Sequence, residues 1–285
     1  MHVQMAGLLD RISKHLAVSR IAHPPVDLRQ IENQQQIAEN LKNIQSAAMF
    51  NVFQCAEMYD LAYPGYEGDS DYYLEKGKAG DVLYLGVGTG RVFAPLARQN
   101  PKAVGVDSSS EMISLLWKKN PDINGQVLKA DALSIDLGAN KFDGVIAPYS
   151  FLQLFDKEDM GRLLTNVHKT LKLGGVFHTD TCSPFSFPFK KKGHEVSINA
   201  VSKGTRVAIY IIYDHIMQTM KELAVVSSGG EDKVLEMNLF YYFPHELSES
   251  LTNAGFVEVR ITGDYKDEIF DPSEHEVVVF EARKS

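Results

Sequence analysis

A glycine-rich turn that follows an apolar run constrains the fold of this chain more than any other feature. The apolar residues 82–85 lead directly into glycines at positions 86, 88 and 90, and a second apolar run ends at Asp107. Glycine has no Cβ, so such a turn takes positive φ angles and lets another molecule approach the backbone. The pattern predicts two neighbouring strands of an α/β sheet, with a tight turn and a carboxylate at their carboxyl ends.

The glycine spacing discriminates between kinds of nucleotide ligand. Asp107 follows Gly86 by about 20 residues, the separation at which an acid accepts hydrogen bonds from ribose hydroxyls. A dinucleotide fingerprint would require glycine at the position of Arg91, and no lysine follows the turn as in a P-loop. The pattern therefore favours a nucleoside without phosphates over NAD.

Several further segments, in the same order along the chain, resemble the class I S-adenosylmethionine-dependent methyltransferases. Residues 82–90 resemble the first motif of that family, and Asp107 matches its ribose-binding acid. The later segments of resemblance are 129–132, 142–149, 173–177, 244–247 and 254–256. Together they extend over residues 56–285.

The resemblance implies S-adenosylmethionine as the cofactor and S-adenosylhomocysteine as its product. In this family pattern Asp107 holds the ribose, Asp131 accepts from the adenine amino group and Met112 packs on the adenine ring. The full set of implied cofactor-binding residues is Tyr59, Gly86, Gly88, Gly90, Asp107, Ser108, Met112, Asp131, Ala132 and Pro148.

The candidates for the acceptor side are less strongly indicated. Tyr149 and Gln153 follow the fourth predicted strand, where open α/β sheets present ligands, although core packing and loop polarity are the alternatives. Tyr63 belongs to a tyrosine-rich segment, residues 56–66, that is either a cover over the cofactor or an aromatic staple. A tyrosine offers both a packing face and a hydroxyl.

Three residues are candidates for a base that deprotonates the acceptor. They are Asp180, His178 and His245. For Asp180 the alternative is loop capping, and for His178 it is a packed position on a strand. His245 follows Pro244 at a helix start, which favours a surface position.

The fourth motif bears on the substrate class. Adenine and glutamine amide methyltransferases have Asn/Asp-Pro-Pro-aromatic at this point, whereas this chain has the sequence 147–150 Ala-Pro-Tyr-Ser. We therefore expect a small-molecule acceptor. The tyrosine-rich segment and the antiparallel insertion resemble those of small-molecule N-methyltransferases, which implies an amino sugar or another amine of specialised metabolism and favours N-methylation over O- or C-methylation. A non-catalytic S-adenosylmethionine-binding protein is the alternative from another class, and a nicotinamide-dependent oxidoreductase is disfavoured by Arg91.

Hydrophobic periodicity predicts a Rossmann-like α/β fold. Apolar strands alternate with helices, which predicts a mainly parallel sheet of seven strands with helices on both faces. The link between the last two strands is too short for a crossover helix, so the last strand should be antiparallel. The predicted strands are 81–86, 102–107, 126–130, 142–147, 175–180, 256–262 and 275–282, and the predicted helices are 90–99, 109–119, 157–171 and 245–253.

Two additions to this sheet are predicted. Residues 1–55 form an N-terminal helical extension or cover, with a helix over about 28–50 whose apolar residues recur at helical spacing. Within the methyltransferase-like domain, 56–285, the period changes to that of strands over 192–243. That change predicts an antiparallel β insertion, with Tyr210, Tyr213, Tyr241 and Tyr242 either in its core or along an acceptor pocket.

Composition limits the partners and the compartment. The formal net charge of −8 disfavours nucleic acid, and the run of lysines at 190–192 is interpreted as a solvated loop. Two cysteines without C-x-x-C spacing do not indicate a disulfide scaffold, and the histidine spacing indicates no metal. The absence of a signal-peptide or membrane-spanning pattern predicts a cytoplasmic protein, and a homodimer through the insertion or the N-terminal helix is a further expectation.

Overall fold

The computed structural model describes residues 49–186, 192–202, 205–228 and 231–285. The strands are β1 Met49–Asn51, β2 Val82–Leu85, β3 Val104–Asp107, β4 Val127–Lys129, β5 Phe142–Ala147, β6 Leu171–Cys182, β7 Lys192–Ser202, β8 Thr205–Asp214, β9 Thr219–Ser228, β10 Glu231–Phe240, β11 Phe256–Gly263 and β12 Val277–Lys284. The helices are α1 Ala56–Ala62, α2 Asp69–Gly77, α3 Phe93–Gln99, α4 Ser110–Lys119, α5 Lys157–Thr170 and α6 Pro244–Asn253.

Seven strands form one sheet in the order β11-β12-β6-β5-β2-β3-β4. The five strands from β6 to β4 are parallel, while β12 is antiparallel to both β6 and β11. Parallel neighbours require crossover connections, and the alternation of strands and helices supplies them. The predicted Rossmann-like sheet with its antiparallel last strand is confirmed.

Helices cover both faces of this sheet because the central strands carry apolar side chains on both faces. In β2, Leu83 and Leu85 belong to the core beneath α5 and α6, whereas Val82 and Tyr84 belong to the core beneath α3 and α4. Successive side chains of a strand point to opposite faces, so one apolar run contributes to two cores. All four of these residues are buried.

The insertion is a second, separate sheet of five strands in the order β1-β10-β9-β8-β7. Strands β7 to β10 are an antiparallel meander, as predicted, and β1 pairs in parallel with the edge strand β10. Residues 49 and 50, the end of the predicted 28–50 helix, are therefore strand. The edge of β10 offers unpaired backbone groups, which outweigh local helical periodicity over these residues. The remainder of that predicted helix lies outside the described residues.

The helices that were predicted are present within a few residues of their expected bounds, and α4 and α5 begin at polar caps. The Ser109 Oγ accepts from the backbone N–H of Met112, and the Asp156 carboxylate accepts from the N–H of Asp159. Helices α1 and α2 were not predicted. Among the described helices, none is long and apolar enough to span a membrane.

Gly105 is required by the packing of α3 on the sheet. A Cβ at this position would lie 2.4 Å from Val87 Cγ1 and 2.7 Å from Phe93 Cζ. We expect Gly105→Ala to lower the free energy of unfolding by about 1–3 kcal/mol, the usual cost of overpacking a core. Urea denaturation measures the change.

Gly144 is the matched control on the neighbouring half of the same sheet. A Cβ there would meet its nearest atoms at 3.8 and 3.9 Å, which is ordinary contact. Gly144→Ala should therefore be tolerated, and equal losses for the two variants would contradict the packing explanation.

Candidate active site

A cavity of about 1220 Å³ lies at the carboxyl ends of β2, β3 and β5, between the seven-stranded sheet and the insertion. The glycine turn, the loop after β5, helix α1 with the residues after it, and strands β8 to β10 all contribute to its lining. This is the edge of an open α/β sheet at which ligands bind. The insertion covers the other side of the cavity.

The glycine turn adopts the backbone conformation that its sequence predicts. Gly86, Gly88 and Gly90 have φ angles of 72°, 54° and 93°, a region that side chains with a Cβ rarely occupy. A Cβ on Gly88 would have no described atom within 4 Å, so this glycine leaves open space. A Cβ on Gly86, by contrast, would lie 2.6 Å from the Phe151 ring.

Asp107 is held by this turn and lines the cavity. Its carboxylate accepts from the backbone N–H groups of Gly88 at 2.8 Å and Ser109 at 2.9 Å. Burial raises the pKa of Asp107, and these two hydrogen bonds act in the opposite direction by stabilising the anion. A carboxylate fixed in this way is oriented to accept from hydroxyl groups of a ligand.

The structure brings all ten predicted cofactor-binding residues to the cavity wall. Met112 is buried, Asp131 lies at the exposed rim, and the Asp131 carboxylate accepts from the N–H of Leu133 at 2.9 Å. The remaining lining residues of this set are Tyr59, Gly86, Gly88, Gly90, Asp107, Ser108, Ala132 and Pro148. These residues are therefore in position to contact a cofactor in the cavity.

Arg91 does not lie at the helix–sheet contact where a dinucleotide fingerprint has glycine. Its guanidinium donates to both carboxylate oxygens of Asp69 and lies 5.4 Å from the centroid of the Tyr149 ring. The close contact with the sheet is made by Phe93 against Gly105 instead. Arg91 therefore joins the glycine turn to α2 and to the loop after β5.

The tyrosine-rich segment both covers the cavity and packs on the insertion. Tyr59, Tyr63 and Tyr66 line the cavity, and the centroids of the Tyr59 and Tyr63 rings are 5.0 Å apart. Tyr63 also belongs to a cluster with apolar residues of β8 to β10. The Thr89 hydroxyl donates to the Asp60 carboxylate, which fixes α1 to the glycine turn. Whether the segment covers a cofactor stays a prediction, and its packing on the insertion is a contact that the sequence did not predict.

Asp180 lies behind the cavity and does not line it, which corrects the prediction that it faces an acceptor. Its fully buried carboxylate accepts from the Tyr73 hydroxyl at 2.6 Å, the Tyr149 N–H at 2.8 Å and the Ser150 N–H at 2.7 Å. Tyr149 and Ser150 have φ angles of 56° and 57°. Burial raises the pKa of Asp180 to about 6, against the effect of its three donors. The carboxylate anchors a strained turn.

Both candidate histidines also lie away from the cavity lining. His178 is buried on β6 with its Nδ1 3.5 Å from the Glu281 carboxylate, and burial lowers its pKa. The His178 ring contacts the Tyr72 ring on the same side of the sheet. His245 is exposed at the start of α6 and stacks on Phe243, as the surface alternative predicted. Neither histidine is thus placed to contact an occupant of the cavity in this structure.

The loop after β5 brings Tyr149 and Gln153 to the cavity. Gln153 is nevertheless only 1% exposed, and its side-chain amide contacts the Cys182 sulfur at 3.2 Å. Tyr149 packs its ring against Tyr66, with centroids 4.9 Å apart. Both residues are thus at the site and also part of its packing.

The four tyrosines of the insertion are core residues and do not line the cavity. Tyr210, Tyr213, Tyr241 and Tyr242 are all buried, the last two in the segment that follows β10. Most of the lining from the insertion comes instead from a set of residues that we call the pocket face: Ile209, Ile211, Met220, Glu222, Met237 and Leu239. Glu236 and Asn238 on β10 also line the cavity. The alternation of each strand, which decides this face, depends on a register that the sequence did not specify.

Glu222 is a site residue that the sequence did not reveal. It lines the cavity from β9, and burial raises its pKa to about 7. An available signal was its place in an alternating stretch, Met220, Glu222, Ala224 and Val226, where an acid occupies a position otherwise held by apolar residues. Which way that stretch faces became known only from the fold.

Comparisons with known proteins identify the glycine turn and its surroundings. Residues 82–175 match the family described as a methyltransferase domain. In this segment and in fold, the chain is similar to the class I S-adenosylmethionine-dependent methyltransferases. An uncharacterized methyltransferase of Anoxybacillus flavithermus is 30% identical over 108 residues, which are 38% of this chain and 50% of that relative. The match thus spans half the length of the curated relative.

Solved structures extend the likeness beyond the matched segment. The CcbJ methyltransferase from Streptomyces caelestis is 25% identical, with a TM-score of 0.71 over 82% of this chain and 98% of that chain. CalS10, an S-adenosylmethionine-bound amino pentose methyltransferase from Micromonospora echinaspora involved in calicheamicin biosynthesis, is 17% identical. Its TM-score is 0.58 over 88% of this chain and 97% of that chain, a likeness of fold.

Asp107→Ala tests the end of the cavity at the glycine turn. We expect S-adenosylhomocysteine to bind more weakly by about 1–3 kcal/mol, the size of a lost charge-assisted hydrogen bond. Isothermal titration calorimetry gives the dissociation constants. Asp136→Ala, which removes an exposed carboxylate paired with Lys169, is the control. An unchanged dissociation constant for Asp107→Ala would mean that the ribose site is elsewhere.

Asp180→Ala tests the anchor of the loop after β5. Three donors lose their common acceptor, so the free energy of unfolding should fall by about 3 kcal/mol. The exposed Asp232→Ala on β10 should change it by less than about 0.5 kcal/mol. Guanidinium denaturation measures both, and a loss as small as that of the control would show that the carboxylate does not hold the loop.

Proposed function

We propose that this protein transfers a methyl group from S-adenosylmethionine to a small-molecule acceptor, and that an amine nitrogen is the favoured acceptor atom. The observation that carries the proposal is the cavity of about 1220 Å³, with the glycine turn and Asp107 on one side and the pocket face of the insertion on the other. Pockets for a single drug-sized ligand commonly have about 300–1,000 Å³. The larger volume supports a donor and a small acceptor held together.

The residues of the glycine-turn side fit the donor by their chemistry. Gly88 leaves the backbone open to a ligand, the Asp107 carboxylate faces hydroxyl groups, and the Asp131 carboxylate at the rim suits an exocyclic amine. When bound, S-adenosylmethionine supplies a sulfonium that already activates its methyl group. The protein's part is then to orient the acceptor atom in line with that methyl group and to exclude water.

The shape and lining of the opposite side support a small acceptor. The loop after β5 presents Pro148 and Tyr149 and has no side-chain amide at the position where adenine and glutamine amide methyltransferases carry one. The insertion closes over the cavity, which suits a small molecule better than a duplex or a folded protein. CalS10, by its name, acts on an amino pentose. That likeness and the carboxylate of Glu222 favour an amine.

O-methylation, C-methylation and non-catalytic binding of S-adenosylmethionine are the alternatives that experiment must separate. Purified protein is first analysed by mass spectrometry for a retained nucleoside and titrated with S-adenosylhomocysteine. Donor labelled in the methyl group is then offered with matched pairs of amino sugars and sugars. Label transfer to the amino member alone supports the proposal. Transfer to both members favours O-methylation, and donor binding without any transfer favours the non-catalytic alternative.

Two hydroxyl deletions test the acceptor side. If these two lining residues contact the acceptor through their hydroxyls, Tyr63→Phe and Tyr149→Phe should lower turnover while leaving the affinity for S-adenosylhomocysteine unchanged. Steady-state kinetics and calorimetry separate the two quantities. Tyr265→Phe is the matched control, since its buried hydroxyl also lacks a hydrogen-bond partner among the described residues but does not line the cavity. Kinetics equal to this control would make both tyrosines packing residues.

Two sequence predictions about the whole protein stay predictions. These are its cytoplasmic location and a homodimer formed through the insertion or the N-terminal helix. The domain division at residue 55 is likewise a proposal, although Met49, Phe50, Asn51 and Phe53 from the end of the extension line the cavity.

A further inference from the structure

Glu222 is a carboxylate in an otherwise apolar part of the cavity. In the antiparallel register it lies opposite Ile211 on β8 and Met237 on β10, and residues directly opposite share one face of a sheet. Met220 and Ala224 flank it on its own strand. Apolar side chains therefore surround it on the pocket face, which gives the carboxylate little solvation from protein groups.

No basic side chain among the described residues forms an ion pair with Glu222. The contrast is Glu236, a second carboxylate of the insertion at the cavity, whose Oε1 lies 3.0 Å from Lys221 Nζ and accepts from Asn238 at 3.0 Å. Glu236 is thus paired with Lys221 on the face of the sheet opposite the pocket face. Glu222 directs an uncompensated carboxylate toward the cavity.

The Tyr63 hydroxyl faces this carboxylate and is itself unsatisfied. Tyr63 is only 5% exposed, and its hydroxyl makes no hydrogen bond of normal geometry with the residues that the structure describes. It is nevertheless close enough to Glu222 to act against the rise in that carboxyl's pKa. A buried hydroxyl without a partner is costly, so an occupant that completes its hydrogen bonding would be stabilised here.

The other titratable groups close enough to Glu222 for its charge to raise their pKa are neutral near neutral pH. They are Tyr59 on α1, Tyr149 in the loop after β5 and Cys182 at the end of β6. Burial raises the pKa of each, that of the Cys182 thiol to about 12. None of them supplies a positive charge, and the basic residues that line the cavity, Arg91, Arg98 and Lys119, are paired with Asp69, Asp122 and Asp60. Among the described residues, a cation that enters the cavity therefore meets no ion-pair partner of Glu222 to displace.

We propose that Glu222 and Tyr63 bind the ammonium group of the methyl acceptor and that Glu222 takes one of its protons. This inference rests on the proposed methyl transfer and specifies its acceptor as a cationic amine. The proton passes from nitrogen to the carboxylate, and the freed lone pair forms the new N–C bond as the methyl–sulfur bond breaks. The positive charge moves from the donor to the N-methylated product, and Glu222 later returns its proton to water.

The pKa of Glu222 suits this role, because a base near neutral pH is ionised in a useful fraction of molecules and still holds a proton. The donor's positive charge would further favour the ionised carboxylate. A hydroxyl acceptor, by contrast, would not need an anionic partner to enter the cavity.

A pair of bisubstrate probes tests the proposal without knowledge of the natural acceptor. Each is S-adenosylhomocysteine with its sulfur replaced by a nitrogen that bears an arm of two to four carbons. The arm ends in an amine in one probe and in a hydroxyl in the other. Wild-type protein should bind the better amine probe about tenfold more tightly than its hydroxyl partner, the size expected for a hydrogen bond to a charged group.

Glu222→Gln keeps the shape of the side chain and removes its charge. It should abolish the preference for the amine arm and leave the affinity for S-adenosylhomocysteine unchanged. Asp232→Asn, which removes a charge from an exposed position on the neighbouring strand, should keep the preference. Equal binding of the two arms by wild-type protein, or a preference that survives Glu222→Gln, would overturn the proposal. Failure of S-adenosylhomocysteine itself to bind would overturn the donor site instead.

A variant that binds S-adenosylmethionine more weakly but treats the two arms as wild type does would assign Glu222 to the sulfonium. That outcome also contradicts the proposal, and calorimetry with S-adenosylmethionine and S-adenosylhomocysteine reveals it. The first compound is cationic at sulfur and the second is neutral, so they form the appropriate pair.

A second readout is the pH dependence of stability, which needs no ligand. Because the pKa of Glu222 is raised in the folded state, that state binds more protons than the unfolded chain between the two pKa values. The contribution of Glu222 to the free energy of unfolding is therefore present at low pH and is lost as the pH rises through about 7. Glu222→Gln should therefore raise the melting temperature of the unliganded protein more at about pH 8 than at about pH 5. An equal change at both would show that Glu222 is not the uncompensated carboxylate the proposal requires.

Discussion

The hydrogen bonding of the Asp180 carboxylate is the interaction on which the cavity depends. One buried side chain on β6 holds the backbone N–H groups of Tyr149 and Ser150 and the hydroxyl of Tyr73. It thereby fixes a left-handed turn at the end of β5 and connects that turn to α2. Without such an acceptor, the two N–H groups would be partly buried without a partner and the strained conformation would have nothing to maintain it. Asp180, which does not line the cavity, therefore fixes the position of the cavity wall that carries Pro148 and Tyr149.

The second requirement is closure of the cavity, which the two sheets achieve together. The seven-stranded sheet supplies the glycine turn and Asp107, and the insertion supplies the apolar pocket face opposite them. Helix α1 joins the two sides, since the Asp60 carboxylate accepts from Thr89 in the glycine turn and Tyr63 packs on the insertion. An apolar enclosure of this kind strengthens each electrostatic interaction inside it, because little water remains to screen charge. Burial in this environment raises the pKa of Glu222.

Much of the fold and the donor half of the site was predictable because both depend on local patterns. The glycines at 86, 88 and 90 predict a turn because glycine can adopt positive φ. The continuous apolar runs predict strands that are buried on both faces. The acceptor half was not predictable in the same way. Asp180, His178 and the tyrosines of the insertion were plausible by residue type, yet packing turned them away from the cavity. Glu222 was overlooked because an acid in a strand is usually on the solvent side.

The sequence by itself determined the parallel sheet, its antiparallel last strand, the glycine turn with its carboxylate and the existence of a β insertion. These follow from hydrophobic period and from backbone freedom, which are properties of short segments. Tertiary structure alone decided that β1 joins the edge of β10, that Asp180 serves as an anchor, and that Glu222 and Tyr63 share the cavity. The reason is physical: successive side chains of a strand face opposite ways, so the pairing of distant strands determines which of two sets lines the cavity.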